Sequence, residues 1–223
     1  MAGDGVSGES ADQAEANPVF TTTTGPVRII TAASLFDGHD AAINVMRRLI
    51  QSSGAEVIHL GCAVQEDAHA VALTSYQGGH VEYLTYIRQL LDEAGCAHVR
   101  IFAGGGGTIT PPEIRTLHQS GIEKIYSPDD GRSMGLMGMI HHLMENASKT
   151  DLIDDKRLAS LDGPVTANDM AKVGLLLTLS ETAEDSAFKA TLDKCRSSQK
   201  EVPVIGFTGT GGAGKSSLLD EVM

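Results

Sequence analysis

The chain has 223 residues, with 29 acidic against 17 basic side chains and a formal net charge of −12. Because the basic residues are scattered and form no positive stripe, nucleic acid is not expected as a partner. Its three cysteines, Cys62, Cys96 and Cys195, form no C-x-x-C pair, which argues against a disulfide framework or a zinc site and favours a reducing cytoplasm. No apolar run approaches the roughly 20 residues that span a bilayer, so no membrane association is expected.

The first 24 residues are small, polar and acidic, which predicts a disordered tail that is neither a signal peptide nor an anchor. From residue 25 to 147, short β-branched runs alternate with segments of helical period, as in a parallel sheet covered by helices. Strands are predicted at residues 27–33, 56–60, 70–74, 99–103 and 123–126.

This alternation predicts an α/β domain of the doubly wound, flavodoxin-like (Rossmann-like) class. In such a sheet the strand order reverses between the first and third strands, and ligands bind at the carboxyl edge beside that reversal. The interval 61–70 is near the lower limit of roughly 10–12 residues for a parallel crossover, so any helix there has at most two turns.

Residues 148–201 are predicted to form a helical linker, since charged segments there alternate with apolar residues at helical spacing. Residues 202–223 then read as a strand, "VPVIGF", a glycine-rich loop and the start of a helix. This is the sequence context of a P-loop, so a truncated P-loop NTPase domain is predicted to begin here.

The loop matches the phosphate-binding pattern G-x-x-x-x-G-K-[ST]. Its glycines let backbone N–H groups surround phosphates, Lys215 can reach the β and γ oxygens, and Ser216 can bind Mg²⁺. The predicted nucleotide-binding residues are Gly209, Gly211, Gly212, Ala213, Gly214, Lys215, Ser216 and Ser217.

Three loops of the first domain follow strands at the same edge of the sheet: "LFDGHDAA", "SYQGGH" and "GGGGTITPP". His39 is the candidate metal ligand, with Asp37 placed to orient its ring and Asp40 to cap the helix that follows. No second histidine or cysteine lies nearby, which favours a cofactor that brings its own equatorial ligands. A lone histidine near a helix start is also often a plain capping or loop residue, and both interpretations stay open.

The D-x-H pattern at Asp37 to His39, the G-G-H turn at Gly78 to His80, "GGGGTITPPEI" and "IYSPDDG" together resemble the cobalamin-binding domain of adenosylcobalamin-dependent acyl-CoA mutases. A linker and "GFTGTGGAGKSS" follow, as in members of that family with a fused G-protein chaperone. The resemblance covers residues 27–223. It implies a cofactor site made of Asp37, Gly38, His39, Asp40, Thr74, Ser75, Tyr76, Gly78, Gly79, Gly105, Gly106, Gly107, Thr108, Ser127 and Pro128.

In this resemblance, His39 is the lower axial ligand of cobalt and displaces the dimethylbenzimidazole of the cofactor, whose nucleotide tail enters the core beside the glycine-rich loops. The C-terminal loop binds GTP with Mg²⁺, and the GTPase gates cofactor loading. The implied reaction is the radical rearrangement of isobutyryl-CoA to n-butyryl-CoA, in a cytoplasmic protein that is a homodimer. The barrel that binds acyl-CoA is absent from this sequence, so this chain alone is expected to show neither mutase turnover nor GTP hydrolysis.

Two departures from the family pattern stand out: Ala42 replaces the glycine of D-x-H-x-x-G, and the segment after Leu60 is shortened. Two other functions remain open from the residues. The domain could be a non-catalytic corrinoid carrier or cobalamin sensor, or a flavodoxin-like interaction domain in which His39 is a loop residue.

Overall fold

The structure is a computed structural model that describes residues 20–34, 38, 40–166, 168–196 and 206–222. Asp37 and His39, the core of the predicted metal-ligand motif, lie outside the described residues, and so does the 202–205 part of the last predicted strand. The strands are β1 Thr21–Thr22, β2 Gly25–Pro26, β3 Arg28–Ala33, β4 Glu56–His59, β5 Ala70–Thr74, β6 Arg100–Gly104 and β7 Lys124–Tyr126. The helices are α1 Asp40–Ser52, α2 His80–Glu93, α3 Pro111–Gln119, α4 Pro128–Ala147, α5 Asp155–Ala159, α6 Met170–Thr182, α7 Asp185–Cys195 and α8 Lys215–Val222.

Strands β3 to β7 form one parallel sheet in the order β4-β3-β5-β6-β7. The first strand of this sheet, β3, pairs with β4 on one side and β5 on the other, so Ile30 lies between Ile58 and Val71. The strand order therefore reverses between β3 and β5, which confirms the predicted doubly wound, flavodoxin-like fold.

Helices cover both faces of the sheet because its strands are apolar on both sides. Alternate residues point to opposite faces: Ile29 and Phe102 pack with α1 and α4, whereas Ile30 and Ile101 pack with α2 and α3. The result is a three-layer domain whose loops after β5, β6 and β7 meet at one edge.

The N-terminal boundary of the folded part lies earlier than predicted. Strands β1 and β2 pair as an antiparallel hairpin, and Phe20 packs against the core on the α1 and α4 side. Residues 20–24 are therefore not part of a disordered tail as the sequence indicated. Gly25 makes the turn possible with a left-handed φ of 104°.

The short connection between β4 and β5 contains turns and no helix, which agrees with the predicted limit of at most two helical turns. Helix α6 from the predicted linker packs against this connection, where the side-chain amide of Gln65 donates to the sulfur of Met170 at 2.9 Å. The approach is close at Gly174, where an added Cβ would lie 3.0 Å from the carbonyl oxygen of Val64. The linker is thus helical, as predicted, but it is also part of the packed structure.

A buried carboxylate joins the β4–β5 connection to the linker helices. Asp67 is 2% exposed and accepts hydrogen bonds from Arg157 at 2.5 Å and Thr178 at 2.7 Å. Arg157 belongs to α5 and Thr178 to α6, so one side chain of the sheet domain holds both helices. Asp67 also has a left-handed φ of 49°, a conformation that aspartate tolerates better than most residues.

Candidate functional site

A cavity of about 490 Å³ opens at the carboxyl edge of the sheet, where β5, β6 and β7 end. Helices α1 and α4 form its sides, and its volume falls within the range of roughly 300–1,000 Å³ typical of small-molecule sites. Its walls are mainly apolar, built from Ala42, Ile43, Val45, Met46, Ile50, Phe102, Leu136, Met139 and Leu143.

Two glycines let the loops after β5 and β6 approach each other at the mouth of the cavity. A Cβ on Gly105 would lie 2.0 Å from the carbonyl oxygen of Ser75, so no larger residue fits there without moving the backbone. Gly106 has a left-handed φ of 58°, and a Cβ there would lie 3.2 Å from the Tyr76 ring. Gly105 and Gly106 therefore allow one loop to pack closely on the other.

Thr74 provides a buried polar atom at this cavity. The residue ends β5 and is 7% exposed, and its Oγ1 has no hydrogen-bond partner within the part of the chain that the structure describes. A buried hydroxyl without a partner costs about 1–3 kcal/mol. A ligand in the cavity that accepts or donates a hydrogen bond at this position would remove that cost.

The third loop, after β7, is fixed by a helix cap. Ser127 and Asp130 form a capping box at the start of α4, and Lys124 donates to Asp130 at 2.9 Å. Burial acts to raise the pKa of Asp130, but the hydrogen bonds from Lys124 and Ser127 outweigh it and lower that pKa to about 2. The cap therefore holds Ser127 and Pro128 in place at the cavity wall over the whole physiological pH range.

Helix α4 is kinked beside the cavity. Gly135 has φ 66° and ψ 175°, a combination that is essentially restricted to glycine. The cavity-lining residues Gly131 and Leu136 lie on either side of this break, so the kink shapes one wall.

The structure brings together six of the predicted cofactor-binding residues at the cavity: Thr74, Tyr76, Gly105, Gly106, Ser127 and Pro128. The other described ones lie near it without lining it. Ser75 is buried beside Gly105, whereas Gly78, Gly79, Gly107 and Thr108 are exposed in the loops. Gly38 is exposed, and α1 begins at Asp40 itself, one residue earlier than expected if Asp40 were its cap.

Sequence reasoning missed the apolar walls of the cavity. Residues such as Ile43, Phe102 and Met139 follow the same periodic pattern as core residues, so only the folded structure separates the two roles. The signal that could have found them is position, since Ile43 and Met139 lie on α1 and α4 and Phe102 lies on the sheet face that these helices cover.

The glycine-rich segment at residues 206–222 forms a loop followed by α8, which begins at Lys215. Gly206 and Phe207 are not in a strand, so the strand predicted to precede the loop is absent from its two described residues. Gly212 and Gly214 have left-handed φ values of 77° and 79°. The ammonium group of Lys215 folds back over the loop and donates to the carbonyl oxygens of Gly209 at 2.9 Å and Thr210 at 2.8 Å.

Two absences concern only the described residues. No three His, Cys, Asp or Glu side chains there are grouped so as to hold a metal ion. None of the helices described has the length and apolar character required to cross a membrane.

The chain thus forms a flavodoxin-like α/β domain with a mainly apolar cavity at the carboxyl edge of its sheet. The chain is 46% identical over 218 residues to a fused isobutyryl-CoA mutase of Geobacillus kaustophilus, covering 88% of this chain and 19% of that protein. A fused isobutyryl-CoA mutase of Cupriavidus metallidurans is 47% identical over 225 residues, covering 94% of this chain and 20% of that protein. The predicted resemblance is thereby confirmed: the chain is related to the fused isobutyryl-CoA mutases and spans about a fifth of their length.

Among solved structures, a cobalamin-binding protein from Desulfitobacterium hafniense is similar with a TM-score of 0.43 and 17% identity, covering 54% of this chain and 58% of that one. No protein-family model matches the chain.

Proposed function

We propose that this chain binds cobalamin, with the nucleotide tail of the cofactor in the 490 Å³ cavity and His39 as the lower ligand of its cobalt. The observation that carries the proposal is the buried Thr74 hydroxyl, which faces an apolar cavity with no partner among the described residues. The relationship to fused isobutyryl-CoA mutases supports it, since the cofactor motifs occur in the order of that family.

The described residues fit the proposed ligand. The aromatic base of a nucleotide tail needs an apolar slot with a few polar groups, and Phe102, Met139 and Leu143 supply apolar walls beside Thr74. Gly105 and Gly106 let the two loops at the mouth of the slot pack on each other, because a Cβ at either position would meet Ser75 or Tyr76.

Each group has a distinct role in this proposal. Thr74 donates to or accepts from the tail inside the cavity, and Ser127, held by its capping box, presents the start of α4 to it. His39 would coordinate cobalt, and Asp37 would accept a hydrogen bond from its other ring nitrogen and fix the tautomer. When bound, adenosylcobalamin supplies radical chemistry through its own Co–C bond, and the chain contributes binding and orientation.

For the whole protein we propose the reversible rearrangement of isobutyryl-CoA to n-butyryl-CoA, in a homodimer whose acyl-CoA site lies outside this chain. The glycine-rich segment would open a G-protein domain that binds GTP with Mg²⁺ and gates cofactor loading. In that segment Lys215 reaches the phosphates and Ser216 holds the metal ion.

Replacing Thr74 by valine tests the cavity. The change removes only the hydroxyl, so we expect about tenfold weaker binding of hydroxocobalamin, together with equal or greater stability of the free chain because a costly buried hydroxyl is lost. Thr178→Val is the matched control: it removes a buried hydroxyl that bonds to Asp67, so it should lower stability and leave cobalamin affinity unchanged. Equal affinity of Thr74→Val and the unchanged chain would contradict the proposed tail site.

Replacing His39 by alanine tests the axial ligand. The visible spectrum of bound cobalamin, and the nitrogen hyperfine splitting of its Co(II) form, should both change on His39→Ala because the donor nitrogen is lost. If the chain binds no cobalamin at all, it is an interaction domain. If spectra of the two chains agree, His39 is a loop residue and the axial-ligand proposal fails.

The phosphate loop is tested separately. A fluorescent GDP analogue should bind the full chain, and Lys215→Ala should weaken binding at least about thirtyfold because the lysine makes charge-assisted contacts to the phosphates. The control Lys189→Ala, at an exposed lysine of α7, should leave nucleotide affinity unchanged. Equal binding by Lys215→Ala would show that the segment is a glycine-rich turn.

A further inference from the structure

A buried histidine connects the two glycine-rich loops at the cavity mouth. His80 is the first residue of α2 and is 5% exposed. Its Nδ1 lies 3.1 Å from the carbonyl oxygen of Gln77, in the loop after β5. Its Nε2 lies 3.3 Å from Oε2 of Glu113, which belongs to α3 after the neighbouring loop.

Glu113 itself holds the end of that neighbouring loop. It forms a capping box at the start of α3, where Oε2 accepts from the backbone N–H of Thr110 at 2.7 Å and from its hydroxyl at 2.6 Å. These two hydrogen bonds, with a further contribution from His80, lower the pKa of Glu113. The group that faces His80 is therefore a carboxylate, an acceptor only.

Both partners of His80 are thus acceptors. A neutral imidazole carries one N–H, so it can satisfy Gln77 or Glu113 but leaves a lone pair facing the other oxygen. Nε2 is buried and makes no aligned hydrogen bond within the described residues. Only the doubly protonated ring can donate to both oxygens at once, and it also places a cation beside the Glu113 carboxylate.

The two loops held in this way form the mouth of the cavity. Thr108 donates to the carbonyl oxygen of Tyr76 at 3.4 Å, and Gly105 packs against the carbonyl of Ser75. Neither loop carries a charged side chain between residues 75 and 79 or between 105 and 110. The charged groups around His80 are Glu113 on α3 and the exposed Glu82 in the first turn of α2.

We propose that His80 is a positioning residue that fastens the two cavity loops together through a proton shared with Glu113, so that cofactor affinity depends on the protonation of His80. The proposal rests on the cofactor site described above and adds a regulation to it. When His80 loses the second proton, it no longer donates a hydrogen bond to Glu113. The loop after β6 is then no longer connected to α2 by this contact.

The sign of this dependence separates it from ligation by His39. Protonation of His39 competes with cobalt, so that residue makes affinity fall as the pH falls. Protonation of His80 holds the loops together, so that residue makes affinity fall when its ring loses the second proton.

The first measurement needs no cofactor. Amide hydrogen exchange of residues 75–79 and 105–110 in the free full chain, corrected for intrinsic rates, should rise as the His80 imidazole signals show deprotonation by NMR. His80→Gln should remove this pH dependence. Glu113→Gln, which keeps an oxygen for the capping box but removes the charge, should do the same.

The second measurement is hydroxocobalamin affinity over the same pH interval. We expect about tenfold weaker binding by His80→Gln at the acidic end, the size of one charge-assisted hydrogen bond, and no further loss in the His80→Gln/Glu113→Gln double variant. His118→Gln, which replaces an exposed histidine of α3, is the matched control and should leave both measurements unchanged.

The two measurements fail independently. If loop exchange follows His80 but no cobalamin binds, the contact between the loops stands and the proposed cofactor function falls. If His80→Gln keeps the pH dependence of loop exchange, or binds hydroxocobalamin as tightly as the unchanged chain, the positioning role is refuted. Urea unfolding of each variant confirms that the compared chains are folded.

Discussion

Replacing Asp67 by asparagine should release the linker helices from the sheet domain. The carboxylate accepts from Arg157 through one oxygen and from Thr178 through the other, and it is 2% exposed. Asparagine has the same shape and also tolerates the left-handed backbone at this position, so the change removes charge with little steric effect. One amide N–H₂ must then face one of the two donors.

The expected cost is about 3 kcal/mol. Removing one partner of a buried ion pair costs roughly 3–5 kcal/mol because the other charge stays buried, and the remaining carbonyl oxygen of asparagine keeps one hydrogen bond, which favours the lower end. With a urea dependence of about 2 kcal/mol per molar, this corresponds to a shift of the unfolding midpoint by about 1.5 M.

The assay is urea unfolding of the full chain, followed by far-UV circular dichroism. Asp129→Asn is the matched control, since Asp129 also pairs with an arginine, Arg132, but the side chains of that pair are 85% and 73% exposed. Exposed pairs contribute about 0–1 kcal/mol. The reasoning would be refuted if Asp67→Asn shifted the midpoint no more than Asp129→Asn does.

Two further predictions concern His69 and Gly105. Burial, with the nearby positive charge of Arg28, lowers the pKa of His69 from 6.5 to about 4. As the pH falls, the unfolded chain therefore binds a proton at this position before the folded chain does, and the urea midpoint should fall between pH 6.5 and 4. This residue should account for about 3 kcal/mol of the loss in the free energy of unfolding, and His69→Gln should lack that part of the pH dependence. Gly105→Ala should lower the free energy of unfolding by about 2 kcal/mol, because its Cβ would overlap the carbonyl of Ser75. Gly107→Ala meets no atom within 4 Å and should be neutral in the same urea-unfolding assay, and equal effects of the two alanines would contradict the packing argument.

The strands of the sheet could be predicted because they are short apolar or β-branched runs, of which β5 is buried at every residue. Predicted and observed bounds agree for Ala70–Thr74 and differ by one residue at one or both ends elsewhere, for example at Val27 and Leu60. The position of the site followed from topology, since loops after β5, β6 and β7 meet at one edge in any sheet of this order.

Contacts between distant parts of the chain could not be predicted in this way. The hydrogen bond from Thr178 to Asp67 joins residues 111 positions apart. No local sequence pattern indicates that α6 will pack against the β4–β5 connection, which lies so far away along the chain. The hairpin was missed for a different reason. Its threonines look like a polar tail, but threonine also favours strands, and Phe20 anchors the hairpin on the core.

The replacement of a crossover helix by α6 has a consequence for how this chain can be divided. A cut at residue 147 follows the boundary suggested by the sequence, yet it would separate Gly174 of α6 from Val64 and leave Asp67 without its donors on α5 and α6. If the two halves were separate polypeptides, another segment would therefore have to pack against the β4–β5 connection and donate hydrogen bonds to Asp67. The segment between the two predicted domains is in this sense not interchangeable with a flexible spacer of equal length.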